Sequence, residues 1–133
     1  MEIREYSTYR EDEILNLYSS VGWTAYTDVP EFLREGFRHS LLVLAAYEED
    51  ELLGILRAVG DGYTIVWIQD ILVFPQQQRK GVGTRLIASV LERYRHVRQI
   101  GLATDDTPKT TAFYRALGFT EMSEMGCRAF FRV

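Results

Sequence analysis

The stretch YTIVWIQDILVF, residues 63 to 74, most narrows the folds open to this chain. It is long, β-branched and aromatic, which is the composition of a central strand. It runs past Pro75 through QQQRKGVG into TRLIASVLERYRH, where Leu86, Ile87, Val90, Leu91 and Tyr94 share one helical face. RQIGLAT, residues 98 to 104, then reads as a buried strand. A strand, a glycine-bearing loop, a helix and a second strand in succession predict a sheet with helices packed on it.

The remaining segments fit that frame. IREY (3–6) reads as a first strand. REDEILNLYSSVGW (10–23) carries acids in its first turn and Gly22 at its end, both helix-boundary signals. DVPEFLREGFRHS (28–40) places Pro30 near a helix start, ahead of Phe32, Leu33 and Phe37. LLVLAAYEEDELLGILRAV (41–59) is two apolar runs around a polar turn, and the Asp61–Gly62 pair signals a further hairpin turn. TPKTTAFYRALGF (107–119) is a helix capped by Thr107, started by Pro108 and closed by Gly118. CRAFFRV (127–133) is expected to close the chain as a strand. The whole reads as one domain, residues 1–133, of α/β (α+β) class: a mixed sheet with helices on both faces.

Composition sets outer bounds. The 133 residues suffice for a core, and 47% apolar with 26% charged residues is ordinary for a globular domain. A net charge of -4 argues against nucleic acid as the main partner. The single cysteine, Cys127, excludes an internal disulfide framework and fits a reducing cytoplasm; it is expected to be buried in the last strand. MEIREYSTYREDE has no apolar core of a secretory signal, and no apolar run reaches the roughly 18 residues of a membrane span. No Cys/His/Asp cluster has metal spacing, so no metal is expected.

The loop FPQQQRKGVGTRLI poses a chemical question. A helix N-terminus exposes unpaired N–H groups and partial positive charge, which suit an anion. Gly81 and Gly83 would let a phosphate approach those amides, with Arg79, Lys80 and Arg85 adding attraction. The plainer reading is a tight turn with solvated cations. The nucleotide-triphosphatase string GxxxxGK[ST] is absent, and Leu86 stands where a dinucleotide fold needs its third glycine.

Val73, Pro75, Gln78, Gly81 and Gly83 in VFPQQQRKGVG resemble the acetyl-CoA pyrophosphate loop of the GCN5-related N-acetyltransferases. AFYRALGF (112–119) resembles that family's second signature, and the resemblance extends over essentially the whole chain. VGW, GILRA, WIQDILV and FYRALGF further resemble a subgroup that includes plant chloroplast serotonin N-acetyltransferases. The resemblance implies a mostly antiparallel, six- to seven-stranded sheet with a splayed parallel pair and about four helices. It implies acetyl-CoA as cosubstrate and transfer of its acetyl group to a primary amine by direct attack in a ternary complex. Dimers are common in the family, so a homodimer is one assembly it allows. Two other functions stay open: a protein lysine or N-terminal acetyltransferase, and a catalytically silent CoA-binding sensor or interaction module.

Carried onto this chain, the resemblance gives the pyrophosphate to Gln78, Arg79, Lys80, Gly81, Val82, Gly83 and Thr84. It gives the thioester carbonyl to backbone N–H of Ile71, Leu72 and Val73. A free alkylamine, with a pKa around 10, must lose a proton before it attacks. Asp70 is the candidate base, because the family's frequent glutamate one position earlier is Gln69 here; the plainer reading of Asp70 is a solvent-facing or capping strand residue. Tyr114 matches the family's proton donor to the leaving thiolate, or else packs under the cofactor. Thr107 stands where the family often has asparagine on the pantetheine arm, though a capping role suffices for it. Trp23, Tyr26, Asp28 and Phe32 would wall the acceptor pocket, or pin the first two helices to the sheet.

Overall fold

A computed structural model describes residues 1–133. The chain divides into two compact units, Met1–Ala103 and Thr104–Val133. The first carries a five-stranded sheet in the order β1 (Glu2–Glu5), β2 (Leu42–Glu48), β3 (Glu51–Gly60), β4 (Ile65–Val73), β5 (Gln99–Leu102). Pairing is antiparallel from β1 to β4, and β5 lies parallel to β4. Both expected hairpins form. Glu48 opposes Glu51 across a turn in which Glu49 takes φ +56°. In the turn before β4 the Asp61 carboxylate accepts from the N–H groups of Tyr63, Thr64 and Ile65 at 2.8, 2.7 and 3.1 Å.

Consecutive residues of β2 are buried, including Leu44 and Ala45, so both faces of the sheet are covered. One face meets α1 (Glu11–Ser20) and α3 (Pro30–Arg38). Helix α1 buries Ile14, Leu17 and Tyr18, the three- and four-residue spacing of a single stripe. Helix α3, with Pro30 in its first turn, buries Leu33 and Phe37 while Phe32 points outward, 71% exposed. These side chains pack on Val43, Ala45, Ile55 and Leu72, and each fully buried aliphatic side chain stabilises by about 1.5–3 kcal/mol. Helix α4 (Val82–Arg93) packs against β2, β3 and β4 and buries Val82, Leu86, Ile87 and Val90. A single turn, α2 (Thr24–Thr27), links α1 to α3 and brings the α-helix count to five rather than about four.

In the second unit, α5 (Pro108–Ala116) starts as expected. Thr107 Oγ1 accepts from the Thr110 N–H at 3.2 Å, and Pro108 takes the first helical position. A 3₁₀ turn at Met122–Met125 follows, and residues 127–133 form no strand. The sheet therefore has five strands, not six or seven. CRAFFRV has strand propensity, but propensity in a sheet reflects packing against cross-strand neighbours. Here Phe130 is 87% and Phe131 67% exposed. Cys127, expected to be buried in that strand, is exposed. No helix is long and apolar enough to cross a membrane.

Candidate active site

Strand β4 pairs with β3 from Val66 to Val73, with one break, but with β5 only from Ile65 to Ile68. From Gln69 onward its other edge is open, which is the splay expected of the parallel pair. The Phe74 N–H donates to Leu53 O at 3.0 Å, so at that residue the backbone points toward β3. Strand alternation then turns the N–H groups of Ile71 and Val73 to the open edge and that of Leu72 toward β3. Two of the three expected carbonyl-polarising residues thus present donors at the edge. Leu72 instead lies in the core with its side chain 1% exposed.

A bulge sits immediately before that segment. Arg57 opposes Asp70 and Ala58 opposes Ile68, leaving Gln69 without a partner on β3. Directly opposed residues share a face. Asp70 and Leu72 therefore lie with Arg57 and Ile55 under α1, while Ile68 and Ile71 lie on the other face with Ala58 and Leu56. Gln69 also reaches the α1–α2 face: its Oε1 accepts from Trp67 Nε1 at 3.1 Å and its Nε2 donates to Tyr26 Oη at 3.4 Å. In a regular strand Gln69 and Asp70 would face opposite ways. The bulge brings both polar side chains to one side.

Asp70 is enclosed, 1% exposed. Its Oδ2 accepts from Tyr18 Oη at 2.7 Å and from Arg57 Nε at 2.8 Å, while Oδ1 is buried with no partner. It neither faces solvent nor caps a helix. Burial drives the Tyr18 phenol far above its ordinary pKa, and the Asp70 charge and hydrogen bond add to that, so Tyr18 remains a donor. Burial opposes the Arg57 charge, but Asp70 outweighs it and the guanidinium is held more firmly protonated than usual. Arg57 and Tyr18 escaped the sequence reading. Their signal was an arginine inside the apolar run LLGILRAV, since a buried cation requires a buried partner.

The loop after β4 begins with a 3₁₀ turn at Pro75–Gln77, and Gln78 Nε2 ties back to Val73 O at 3.1 Å. Arg79 adopts φ +65° and Gly81 φ +83°. A left-handed non-glycine residue costs of order 1 kcal/mol and marks a backbone held against its preference. Gly81 is the residue before α4 rather than part of its first turn, and it offers no side-chain cap. A Cβ on Gly81 would meet nothing within 4 Å, so its conformation, not crowding within the chain, calls for glycine. The first intrahelical bond is Arg85 N–H to Gly81 O, which leaves the N–H groups of Val82, Gly83 and Thr84 outside the helical ladder. Gln78, Arg79, Lys80 and Thr84 are exposed around them, and Val82 anchors the turn at 3% exposure.

Of the four expected pocket residues, Trp23 and Tyr26 come together. Their rings lie 6.2 Å apart, and both pack edge-on against Tyr18 at 6.1 and 5.5 Å. Asp28 is exposed on the same connection, and Phe32 faces outward. A shallow depression of about 240 Å³ beside Gln77, Lys80 and Val82 flanks the loop, and another of about 390 Å³ lies by Arg4 and Tyr47; neither is at the open edge of β4. Within the second unit, burial raises the Tyr114 phenol above its ordinary pKa, against a lowering by a hydrogen bond with Thr104.

A GNAT-family acetyltransferase from Streptococcus pneumoniae TIGR4 superposes with a TM-score of 0.89 at 34% identity, covering 99% of this chain and 96% of that one. An aminoglycoside 6'-N-acetyltransferase solved with coenzyme A shares the fold at a TM-score of 0.73 and 20% identity, over 89% of this chain and 84% of that one. An uncharacterized N-acetyltransferase (ycf52) of Gracilaria tenuistipitata var. liui is 29% identical over 111 residues, 80% of this chain. The chain spans about 60% of the length of that relative. The model of the acetyltransferase (GNAT) family matches residues 8–119, and with that match the chain belongs to this family.

Proposed function

We propose that this chain transfers the acetyl group of acetyl-CoA to a primary amine on a small molecule, by direct attack within a ternary complex. One observation carries the reading. An open strand edge with two outward N–H groups, at Ile71 and Val73, leads directly into an uncapped helix N-terminus at 82–84. The first suits a carbonyl that gains negative charge, and the second suits a diphosphate. The coenzyme A in the neighbouring aminoglycoside 6'-N-acetyltransferase supports the same cosubstrate here.

The residues take these roles. Backbone N–H groups from Gln78 to Thr84, with Arg79 and Lys80, hold the pyrophosphate. Ile71 and Val73 polarise the thioester carbonyl. The amine nitrogen bonds to the carbonyl carbon as the carbon–sulfur bond breaks. Asp70 receives the amine proton on Oδ1, the oxygen its two donors leave open. Because Asp70 is enclosed, that proton travels through water. Tyr114 supplies a proton to the departing thiolate. Trp23, Tyr26 and Trp67 offer the acceptor an aromatic wall, and Asp28 draws ammonium to it. The exposed thiol of Cys127 belongs to a reducing compartment, the cytoplasm.

Release of free thiol from acetyl-CoA across a panel of primary amines, with intact mass on each product, tests this reading. Acetylated amine is expected. Gly83→Val sets a branched side chain among the free amides and should abolish binding in calorimetry. Tight binding by Gly83→Val, or no acetylated product with any amine, overturns the assignment.

A further inference from the structure

The bulge at Gln69 joins two parts of the molecule that would otherwise be independent. On one side stand Tyr18, Trp23 and Tyr26, packed ring on ring between α1 and α2. On the other stand the edge amides of Ile71 and Val73. Two links cross between them. Gln69 runs from Trp67 to the Tyr26 hydroxyl, and Asp70 accepts from the Tyr18 hydroxyl. Asp70 is also clamped sideways to β3 by Arg57, whose guanidinium lies 5.7 Å from the Phe37 ring centre. Tyr18 is fully buried and Arg57 is 7% exposed, so the clamp is a fixed internal element, not a surface pair.

A bulge is a locally loose place in a ladder, because one residue forms no cross-strand pair. Something must set the direction of the strand as it leaves. Here Asp70 follows the bulged residue and precedes the first edge amide. Its side chain ties a helix, a neighbouring strand and the bulged strand together by hydrogen bonds.

We propose that Tyr18 is a positioning residue: through its hydrogen bond to Asp70 it sets the aim of the Ile71 and Val73 N–H groups at the thioester carbonyl, and it couples that aim to the Trp23–Tyr26 wall. This rests on the acetyl-transfer reading above. Tyr18 touches neither reactant. It keeps α1 and β4 in one relative placement, so displacement of the aromatic wall is felt at the amides that polarise the donor.

The test reads polarisation directly. Acetyl-CoA labelled with ¹³C at the carbonyl is bound to the full chain, and its isotope-edited infrared band is compared with that of free acetyl-CoA. Wild type should shift the band to lower wavenumber. Tyr18→Phe keeps the ring packing and removes the hydroxyl. Most of the shift should disappear, kcat should fall about tenfold to a hundredfold, and acetyl-CoA affinity should stay within about twofold. Asp70→Asn keeps the shape and is read the same way on the carbonyl band. An unshifted band in wild type defeats the acetyl-transfer reading itself. A wild-type shift kept in full by a folded Tyr18→Phe or Asp70→Asn overturns the positioning role alone. If neither variant folds, the cluster is a stability element and the inference is lost.

Discussion

Gly54 sits at a close approach of β3 and β4, and replacing it with alanine should weaken the fold and the site together. An ideal Cβ there would lie 2.5 Å from Leu72 O, 3.1 Å from Val73 Cα and 3.2 Å from Val73 Cγ2. The closest of these are backbone atoms, so no rotamer change relieves the clash. Ordinary carbon-to-carbonyl contacts lie near 3.3–3.6 Å, so the strands must part by roughly 0.8 Å. Overpacking of this size costs about 1–3 kcal/mol. The smaller entropy of an unfolded chain with alanine returns about 0.4–1 kcal/mol. The midpoints leave a net loss of about 1.3 kcal/mol, or very roughly 5 °C in Tm for a chain of this length. Urea unfolding followed by circular dichroism measures it. Because the displaced residues are Leu72 and Val73, kcat should fall as well, while affinity for coenzyme A, held at 78–84, should not. Unchanged or increased stability in Gly54→Ala would refute the close-approach argument and, with it, the claim that the β3 contact fixes the edge amides.

Two further tests address the tyrosines. Tyr114→Phe should lower kcat about tenfold to a hundredfold with cofactor affinity unchanged, measured by steady-state thiol release and calorimetry; unaltered turnover removes Tyr114 from the chemistry. Burial and the hydrogen bond to Glu13 raise the Tyr6 phenol, as burial and Asp70 raise Tyr18. A raised folded pKa means the native state keeps protons that the unfolded chain loses above about pH 10. Stability from these groups is therefore complete below that pH and declines above it. Absorbance at 295 nm should show two of the eight tyrosines ionising only as the protein unfolds; all eight titrating in the native state near their ordinary pKa refutes it.

Much of the fold was legible because the signals were local. Acids and an apolar stripe announced α1, Pro30 announced α3, Asp61 announced its turn, and Thr107 with Pro108 announced the start of α5. The glycine pair marked the loop, but Gly81 precedes α4 in a left-handed conformation, and Arg79 takes one that its residue type does not announce. What stayed hidden depends on partners. CRAFFRV has the composition of a strand, yet pairing is decided by what lies beside it, and residues 127–133 form no strand. Phe32 matches the apolar rhythm of α3 and still faces outward, because only the Leu33–Phe37 stripe meets the sheet.

The bulge shows why the candidate site was only half readable. Alternation along WIQDILV assigns Gln69 and Asp70 to opposite faces, and on that rule only one of them can serve an acceptor beside α1. The register breaks between Arg57 and Ala58, and both then face the same way. No residue type at 68–70 announces this, for the cause is nonlocal: the charge of Asp70 must reach a donor, and the donors stand on β3 and α1. A buried carboxylate left unpaired costs several kcal/mol, more than the cross-strand pair that Gln69 gives up, worth about 0.5–1.5 kcal/mol. The ion pair therefore holds Asp70 in the β3 register of residues 71–73, and the slip falls on Gln69. The slip places a neutral glutamine at the aromatic wall, next to the edge amides that the end of β5 pairing leaves free. Substituting Asp70 should accordingly disturb donor and acceptor sides at once, whereas substituting loop residues 78–84 should disturb the donor side alone.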